Sequence, residues 1–464
     1  MRMLGLALAL LSPVIVGAQS PDAGAAGAIV KGPQGMRADS AARAAEARGF
    51  SGVMLLSTAG GTALEKGYGL ANRADGVLFT PQTVVQIGSN TKDFTAVAVL
   101  QLHERGLLNL NDSLAKYFPD APGDKREITI RQVLEHRAGL PDFVGATDFE
   151  PVGREEFLAR LWKAPLLSPP GTKWAYSNAG YSLLAALIER LSKTSYDSYV
   201  QDNILEPVGM HNRGFALANF DQRRLAHGYR GDTDIGTILG HAHPADGPYW
   251  NLRGNGGMSS TVGEMHAFYD SLFKSSRLLR PETRQLHFDP DQPLALAGSD
   301  GVSFFLYERF PRLGAELIIA SNSSRYAAPR LRREVAAAVG LPGDDMPNST
   351  RPSGPAKQPS AEVSALVREF IRVMNSKDTS RVRRFIERKF ASDASSPSLD
   401  ERVMRFMQVA KNQGEFTILG LNETGPGSID VAAHSALQGQ LVLKVQIAPG
   451  SPPKIRGIAI LMSD

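Results

Sequence analysis

The sequence predicts a mixed α/β (α+β) protein in which one sheet is built from both ends of a long domain. Helices fill the middle, and a small α+β unit closes the chain. Three observations carry that expectation. Short β-like runs at 51–57 and 62–68 are matched by others at 304–310 and 315–320, with helical periodicity between them from Ser89 to about Leu272. Residues 342–360 hold five prolines among Ser, Gly and Asp, the composition of a linker. Beyond them three helical patterns precede four β-like runs, the order of a separate small α+β layer.

Taken in order, residues 1–18 are expected to be a signal peptide. Arg2 gives a positive start, the run to Val16 is mostly apolar, and Val16-Gly17-Ala18 suits cleavage. The run is too short for a membrane span and is broken by Pro13. Residues 19–36, rich in Ala, Gly and Pro, are expected to be a disordered leader. The main domain is assigned 37–341. It opens with a helix near 39–48, then a hairpin turning at Gly60-Gly61. It closes with the hairpin at 304–320 and a helix over 329–339. Residues 361–464 form the last domain. Its first helix carries an apolar face of Val363, Leu366, Val367, Phe370, Ile371 and Met374. A second helix follows Asp378-Thr379 and a third follows Ser398, before strands at 416–421, 429–433, 441–447 and 455–461.

Composition bounds the function. The 464 residues are 42% hydrophobic and 21% charged, ordinary for a soluble globular protein. The net charge is +4 with Lys and Arg scattered, so no nucleic-acid partner is expected. The chain has no cysteine, hence no disulfide and no lipobox cysteine. A periplasmic or secreted location is expected, with no membrane span after signal removal. Oligomeric state is not legible.

The strongest chemical signal is Ser89-Asn90-Thr91-Lys92. The segment that follows is apolar on nearly every side (Phe94, Val97, Val99, Leu100, Leu102) and Gly106 ends it, which marks a buried helix. Ser89 stands at its mouth, and Lys92, three residues on, shares its face. A serine hydroxyl needs a base to become a nucleophile. A desolvated lysine, whose amine loses its proton more easily, can be that base. Spacing alone is weak: Ser113-Leu114-Ala115-Lys116 and Ser271-Leu272-Phe273-Lys274 match the same pattern, and neither serine is expected to open a buried helix.

Tyr176-Ser177-Asn178 follows Pro169-Pro170-Gly171-Thr172 and runs into a helical stretch; Tyr249-Trp250-Asn251 shares its pattern without those flanks. A tyrosine can handle a second proton if nearby cations stabilise its phenolate. An asparagine amide can hold a substrate carbonyl and hydrogen-bond Lys92. His136, in Leu134-Glu135-His136-Arg137-Ala138-Gly139-Leu140-Pro141, is expected to brace the loop beside the site. Glycines in Gly254-Asn255-Gly256-Gly257-Met258 let backbone approach a ligand closely. Thr261 with Glu264 is expected to form a capping box.

Together these segments resemble the serine β-lactamase and penicillin-binding-protein superfamily, in its class C β-lactamase-like branch, over roughly residues 37–340. The branch includes β-lactamases, D-alanyl-D-alanine peptidases and esterases. The resemblance implies a mostly antiparallel sheet flanked by helices beside an all-helical lobe. It implies Ser89 as nucleophile, Lys92 and Tyr176 as proton carriers, and Asn178, Gly256, Gly257 and Ser299 on the substrate side. It implies no cofactor and no metal. The substrate would be a small molecule or peptidoglycan-type ester or amide. The chain departs from the pattern at the third motif: no K-x-G or H-x-G occurs, and the corresponding stretch, 296–303, holds no Lys, Arg or His. A non-catalytic or slow penicillin-binding, cell-wall-sensing protein is therefore the alternative. A remoter one is a metal-dependent hydrolase using His241, His243 and Asp246, which resemble a slipped H-x-H-x-D-H site. The last domain is weakly similar to nuclear-transport-factor-2-like and cystatin-like folds.

Overall fold

The computed structural model describes residues 27–145, 147–211, 222–230, 232–237, 247–299, 303–322, 327–343, 358–391, 398–425, 427–436, 439–448 and 450–462. The expected signal peptide, most of the expected linker and the stretch from His241 to Asp246 lie outside the described residues. The chain divides into two compact units, Met1–Arg351 and Pro352–Asp464.

In the first unit the described residues form a six-stranded antiparallel sheet. Across the sheet the strands run Ile29–Val30, Gly61–Tyr68, Gly52–Thr58, Ala315–Ser321, Phe304–Phe310 and Leu294–Ser299. The early and late hairpins meet in the middle, where Leu55 pairs with Ile318 and Met54 with Ile319. The central strands are buried on both faces because side chains alternate. Val53, Leu55 and Ile318 join the core that includes the helical lobe, while Met54, Leu56, Leu317 and Ile319 face the other way. That second face is covered by the helices Gly32–Glu46 (Ala38, Ala42, Ala45) and Ala327–Val339 (Leu331, Val335, Val339).

The leader expectation fails over its described part. Ile29–Val30 pairs with Glu65 and Leu64, and the first helix begins at Gly32 with Pro33 in its first turn. The small residues that resemble low complexity serve close packing: a Cβ on Gly35 would lie 2.2 Å from the Ala63 carbonyl oxygen.

Two buried helices make the heart of the lobe. Thr91–Glu104 is buried from Thr91 to Leu102, and Phe94 stacks on Phe268 at 4.0 Å. Asn178–Ser192 is buried from Asn178 to Ile188. It starts where the Ser177 hydroxyl accepts the Gly180 N–H at 2.8 Å and stops at Lys193, φ 62°. Three short strand pairs went unread in the sequence: Leu70–Asn72 with Val77–Leu78, Gly228–Arg230 with Thr233–Gly236, and Val85–Gln86 with Ser259–Ser260. The last draws the glycine-rich segment alongside the approach to Ser89, with the Ile87 N–H donating to the Met258 carbonyl at 3.0 Å. Thr261 caps the helix Val262–Lys274, but the Glu264 carboxylate accepts from the His211 N–H instead of closing a box.

In the second unit the helices Ala361–Asn375, Thr379–Lys389 and Leu399–Gln413 start at Ser360, Asp378 and Ser398, each side chain accepting N–H groups of the first turn. The strands Phe416–Gly425, Ser428–Ser435, Gly439–Ala448 and Lys454–Met462 form an antiparallel meander. Phe370, Phe385, Phe390 and Val431 belong to their shared core. Among the described residues no helix is long and apolar enough to cross a membrane.

Candidate active site

Ser89 lies in a single 3-10 turn, Gly88–Asn90, that runs directly into the buried helix Thr91–Glu104. The turn is wedged against the edge strand. Gly88 has φ 51°, and a Cβ on it would lie 2.6 Å from the Ser299 amide nitrogen. A Cβ on Gly298 would lie 2.1 Å from the Ile87 carbonyl oxygen and 2.7 Å from the Ser89 amide nitrogen. Glycine at both positions is what lets the Ser89 and Ser299 backbones come together. The hydroxyl of Ser299 itself donates to the Ser303 carbonyl at 2.7 Å.

Lys92 is 5% exposed and reaches three acceptors. Its Nζ is 3.2 Å from Ser89 Oγ, 2.7 Å from Asn178 Oδ1 and 2.7 Å from the Asn255 carbonyl oxygen. Burial brings its amine down to about 7, against the opposing pull of Asp142, Asp148 and Asp93. Tyr176 donates its hydroxyl to Ser89 Oγ at 2.8 Å, and Lys92 Nζ lies 4.8 Å from the centre of its ring. A Tyr176 phenolate is not favoured here. Burial raises the Tyr176 hydroxyl well above its ordinary value, outweighing the Ser89 hydrogen bond, and the neighbouring lysine is itself easily neutral.

His136 is a brace. Its Nδ1 accepts the Ser177 N–H at 3.1 Å, its carbonyl accepts from the Ala175 N–H at 2.7 Å, and its ring packs on Tyr176 and Tyr181. Burial lowers its imidazole to about 3, so it is neutral. Asp93 accepts the Tyr269 hydroxyl at 2.9 Å. Burial lifts its carboxyl to about 7.

Gly256 and Gly257 border the site, yet what they allow close is the protein itself. A Cβ on Gly256 would lie 2.6 Å from Leu252 Cδ1, and one on Gly257, φ 82°, would lie 3.1 Å from Pro248 Cγ. The contribution of this segment to the cluster is the Asn255 carbonyl, which went unread because a backbone acceptor has no side-chain signature. Asp142 also went unread: its Oδ1 accepts from the Asn178 N–H at 3.1 Å and Nδ2 at 2.9 Å. Leu296 lies on the same face of its strand as Gly298 and packs against the core, an apolar side chain where the resemblance expects a cation. Arg253 does not replace it. Its side chain is buried beside Trp250, donates to the Pro248 carbonyl and pairs with Glu189.

The family described as Beta-lactamase matches residues 37–308, more than half of the chain. The chain belongs to the beta-lactamase family. Among curated relatives of this beta-lactamase-family chain, "Protein flp" of Staphylococcus aureus is 34% identical over 182 residues, 37% of this chain and 36% of the relative. The match thus spans little more than a third of that relative's length. Among solved structures, a penicillin binding protein from Bacillus halodurans is 25% identical with a TM-score of 0.54, covering 65% of this chain and 99% of that one. A D-amino acid amidase from Ochrobactrum anthropi shares the fold at 22% identity and a TM-score of 0.57, covering 67% and 99%.

Proposed function

We propose that the chain is a serine hydrolase that cleaves an ester or amide through an acyl-enzyme on Ser89. The observation that carries this reading is the hydrogen-bond arithmetic at Lys92. As an ammonium it has three N–H donors and meets three acceptors. On losing a proton it keeps two N–H bonds, to the two partners at 2.7 Å. Its lone pair then turns to the more distant third, Ser89 Oγ, at 3.2 Å. The Ser89 O–H donates to that lone pair while Tyr176 donates to the same oxygen. Ser89 Oγ then attacks the substrate carbonyl and its proton passes to Lys92. The negative charge on the carbonyl oxygen is met by the Ser89 N–H and the adjoining strand. Tyr176, still protonated, hands its proton to the leaving group and is recharged from Lys92. Water then attacks the acyl carbon, its proton passing through the same pair to Ser89 Oγ as the Ser89–acyl bond breaks and the acid leaves.

The substrates favoured are neutral. Penicillins, cephalosporins and D-alanyl-D-alanine peptides carry a carboxylate, and Leu296 offers it no charge. A slowly turning-over penicillin acceptor is the second reading, since without that charge a penicillin that did acylate Ser89 would be processed slowly. Intact-mass spectrometry after incubation with a fluorophosphonate, and separately with a fluorescent penicillin, tests both. A single adduct on Ser89 is expected from the fluorophosphonate, and a short-lived one from esters. A penicilloyl adduct that persists would move the reading to the acceptor, and no adduct on Ser89 would contradict both.

A further inference from the structure

Asn178 meets Lys92 with its carbonyl oxygen, and nothing in an asparagine side chain compels that choice. One end of the amide accepts and the other donates, and the two are nearly equal in shape. With the amide turned over, its NH2 would face Lys92 and compete for the lone pair that the Ser89 hydroxyl needs. Asn255 presents no such ambiguity, because its partner atom is a backbone carbonyl.

We infer that Asp142 is a positioning residue, whose carboxylate locks the Asn178 amide with its oxygen toward Lys92 and so aims the Lys92 lone pair at Ser89. The inference rests on the hydrolase reading above. A carboxylate only accepts, so it meets the NH2 end of the amide and repels the oxygen. Asp142 Oδ1 takes both the Asn178 Nδ2–H and the Asn178 N–H. It is itself anchored. The Asp142 carbonyl accepts the Ala179 N–H at 2.8 Å, and the preceding Pro141 carbonyl accepts the Ser177 hydroxyl at 2.6 Å. The Leu140-Pro141-Asp142 turn is thus stapled across the first turn of the helix Asn178–Ser192, where N–H groups favour an anion. The same carboxylate acts on Lys92 through space, together with Asp148 and Asp93, while His136 beside Tyr176 is neutral. Orientation and charge therefore have to be separated by experiment.

The test is the rate at which a fluorophosphonate labels Ser89, followed over the neutral-to-alkaline range in the wild type, in Asp142→Asn, and in the exchanged pair Asp142→Asn with Asn178→Asp. Asp142→Asn keeps the shape and lets the Asn178 amide turn. Its alkaline plateau should fall about tenfold or more, the scale of a misaimed catalytic group. In the exchanged pair position 178 carries a carboxylate, which accepts from Lys92 in either orientation. Its plateau should exceed that of Asp142→Asn by about threefold or more while staying below the wild type, because Asn178 itself belongs to the site, and its acid limb should move to higher pH because the carboxylate favours the ammonium. A merely structural role would lower the melting temperature of both variants and would not restore the rate in the pair. A merely electrostatic role would shift the limb of Asp142→Asn downward and leave its plateau intact. Equal plateaus for wild type and Asp142→Asn overturn the inference and leave the hydrolase reading standing. No labelling of wild-type Ser89 overturns both. Should Asp142→Asn not fold, Asp142→Glu and Asp142→Ala replace it: a plateau at least about threefold higher in Asp142→Glu, which keeps an acceptor-only group, supports the inference, and equal plateaus contradict it.

Discussion

Four stretches of this chain share the S-x-x-K spacing; the three in the first unit differ in what surrounds the lysine. Lys92 is buried among Asn178 Oδ1, the Asn255 carbonyl and Ser89 Oγ. The Lys116 side chain is 59% exposed and paired with Asp112 at 2.9 Å. The Lys274 side chain is 58% exposed and paired with Asp270. Ser113 does open a helix, but one of a single turn, Leu114–Tyr117, and Ser271 lies inside the helix Val262–Lys274. A solvated lysine next to a carboxylate keeps its proton, and burial among neutral acceptors removes it. The lesson is that the spacing supplies a shared face, and desolvation supplies the base.

The comparison breaks most visibly at the serines. Ser89→Ala should abolish hydrolysis of p-nitrophenyl esters, while Ser113→Ala and Ser271→Ala leave it unchanged. Turnover by Ser89→Ala at the wild-type rate would end the assignment. Next in size is the lysine. Lys92→Ala should lower kcat by about 10²–10⁴-fold with little change in KM, since proton transfer contributes on that scale. Lys92→Arg should not restore it, because a guanidinium holds its proton. Tyr176→Phe should likewise cost kcat, and more for substrates with poor leaving groups than for p-nitrophenyl esters, whose leaving group needs no proton.

A smaller effect is expected at Leu296. Neutral short-chain esters should exceed nitrocefin in kcat/KM, and Leu296→Lys should narrow the gap. The charged hydrogen bond gained is worth about 1.5–3 kcal/mol, roughly ten- to a hundredfold. Efficient nitrocefin turnover by the wild type would instead require a cation from another residue, and the buried, paired Arg253 is poorly placed to be it. The smallest expected effect is none: activity should survive EDTA. Loss restored by zinc would bring His241, His243 and Asp246 into the reaction.

Much of this was legible in the sequence, for physical reasons. The apolar run after Lys92 marks a buried helix whichever way the chain folds, and the Pro-Pro-Gly turn before Tyr176 marks a helix start. The two hairpins and the order of the second unit follow from alternation and turn chemistry. Asp142 and the Asn255 carbonyl were hidden because their roles depend on contacts across the fold: Asp142 lies 36 positions from Asn178, and Asn255 is 163 from Lys92. Strands of two to four residues carry too little pattern to see. The described part of the leader, from residue 27, was misread because alanine and glycine look alike in a disordered tail and in a tightly packed helix. The protonation state of Tyr176 was hidden because burial, a property of the fold, sets both its own hydroxyl and the neighbouring lysine.

The central claim is that Lys92, losing its proton near pH 7, is the base for Ser89, and the pH dependence of Ser89 labelling by a fluorophosphonate tests it most directly. The rate should rise with pH through an inflection at about 7 and then level off, as the lysine loses its proton. Asp93 titrates in the same range, so the measurement is repeated in Asp93→Asn, which should keep the inflection. A rate that follows an ordinary lysine, still rising beyond pH 10, or an inflection that vanishes in Asp93→Asn, would contradict the account.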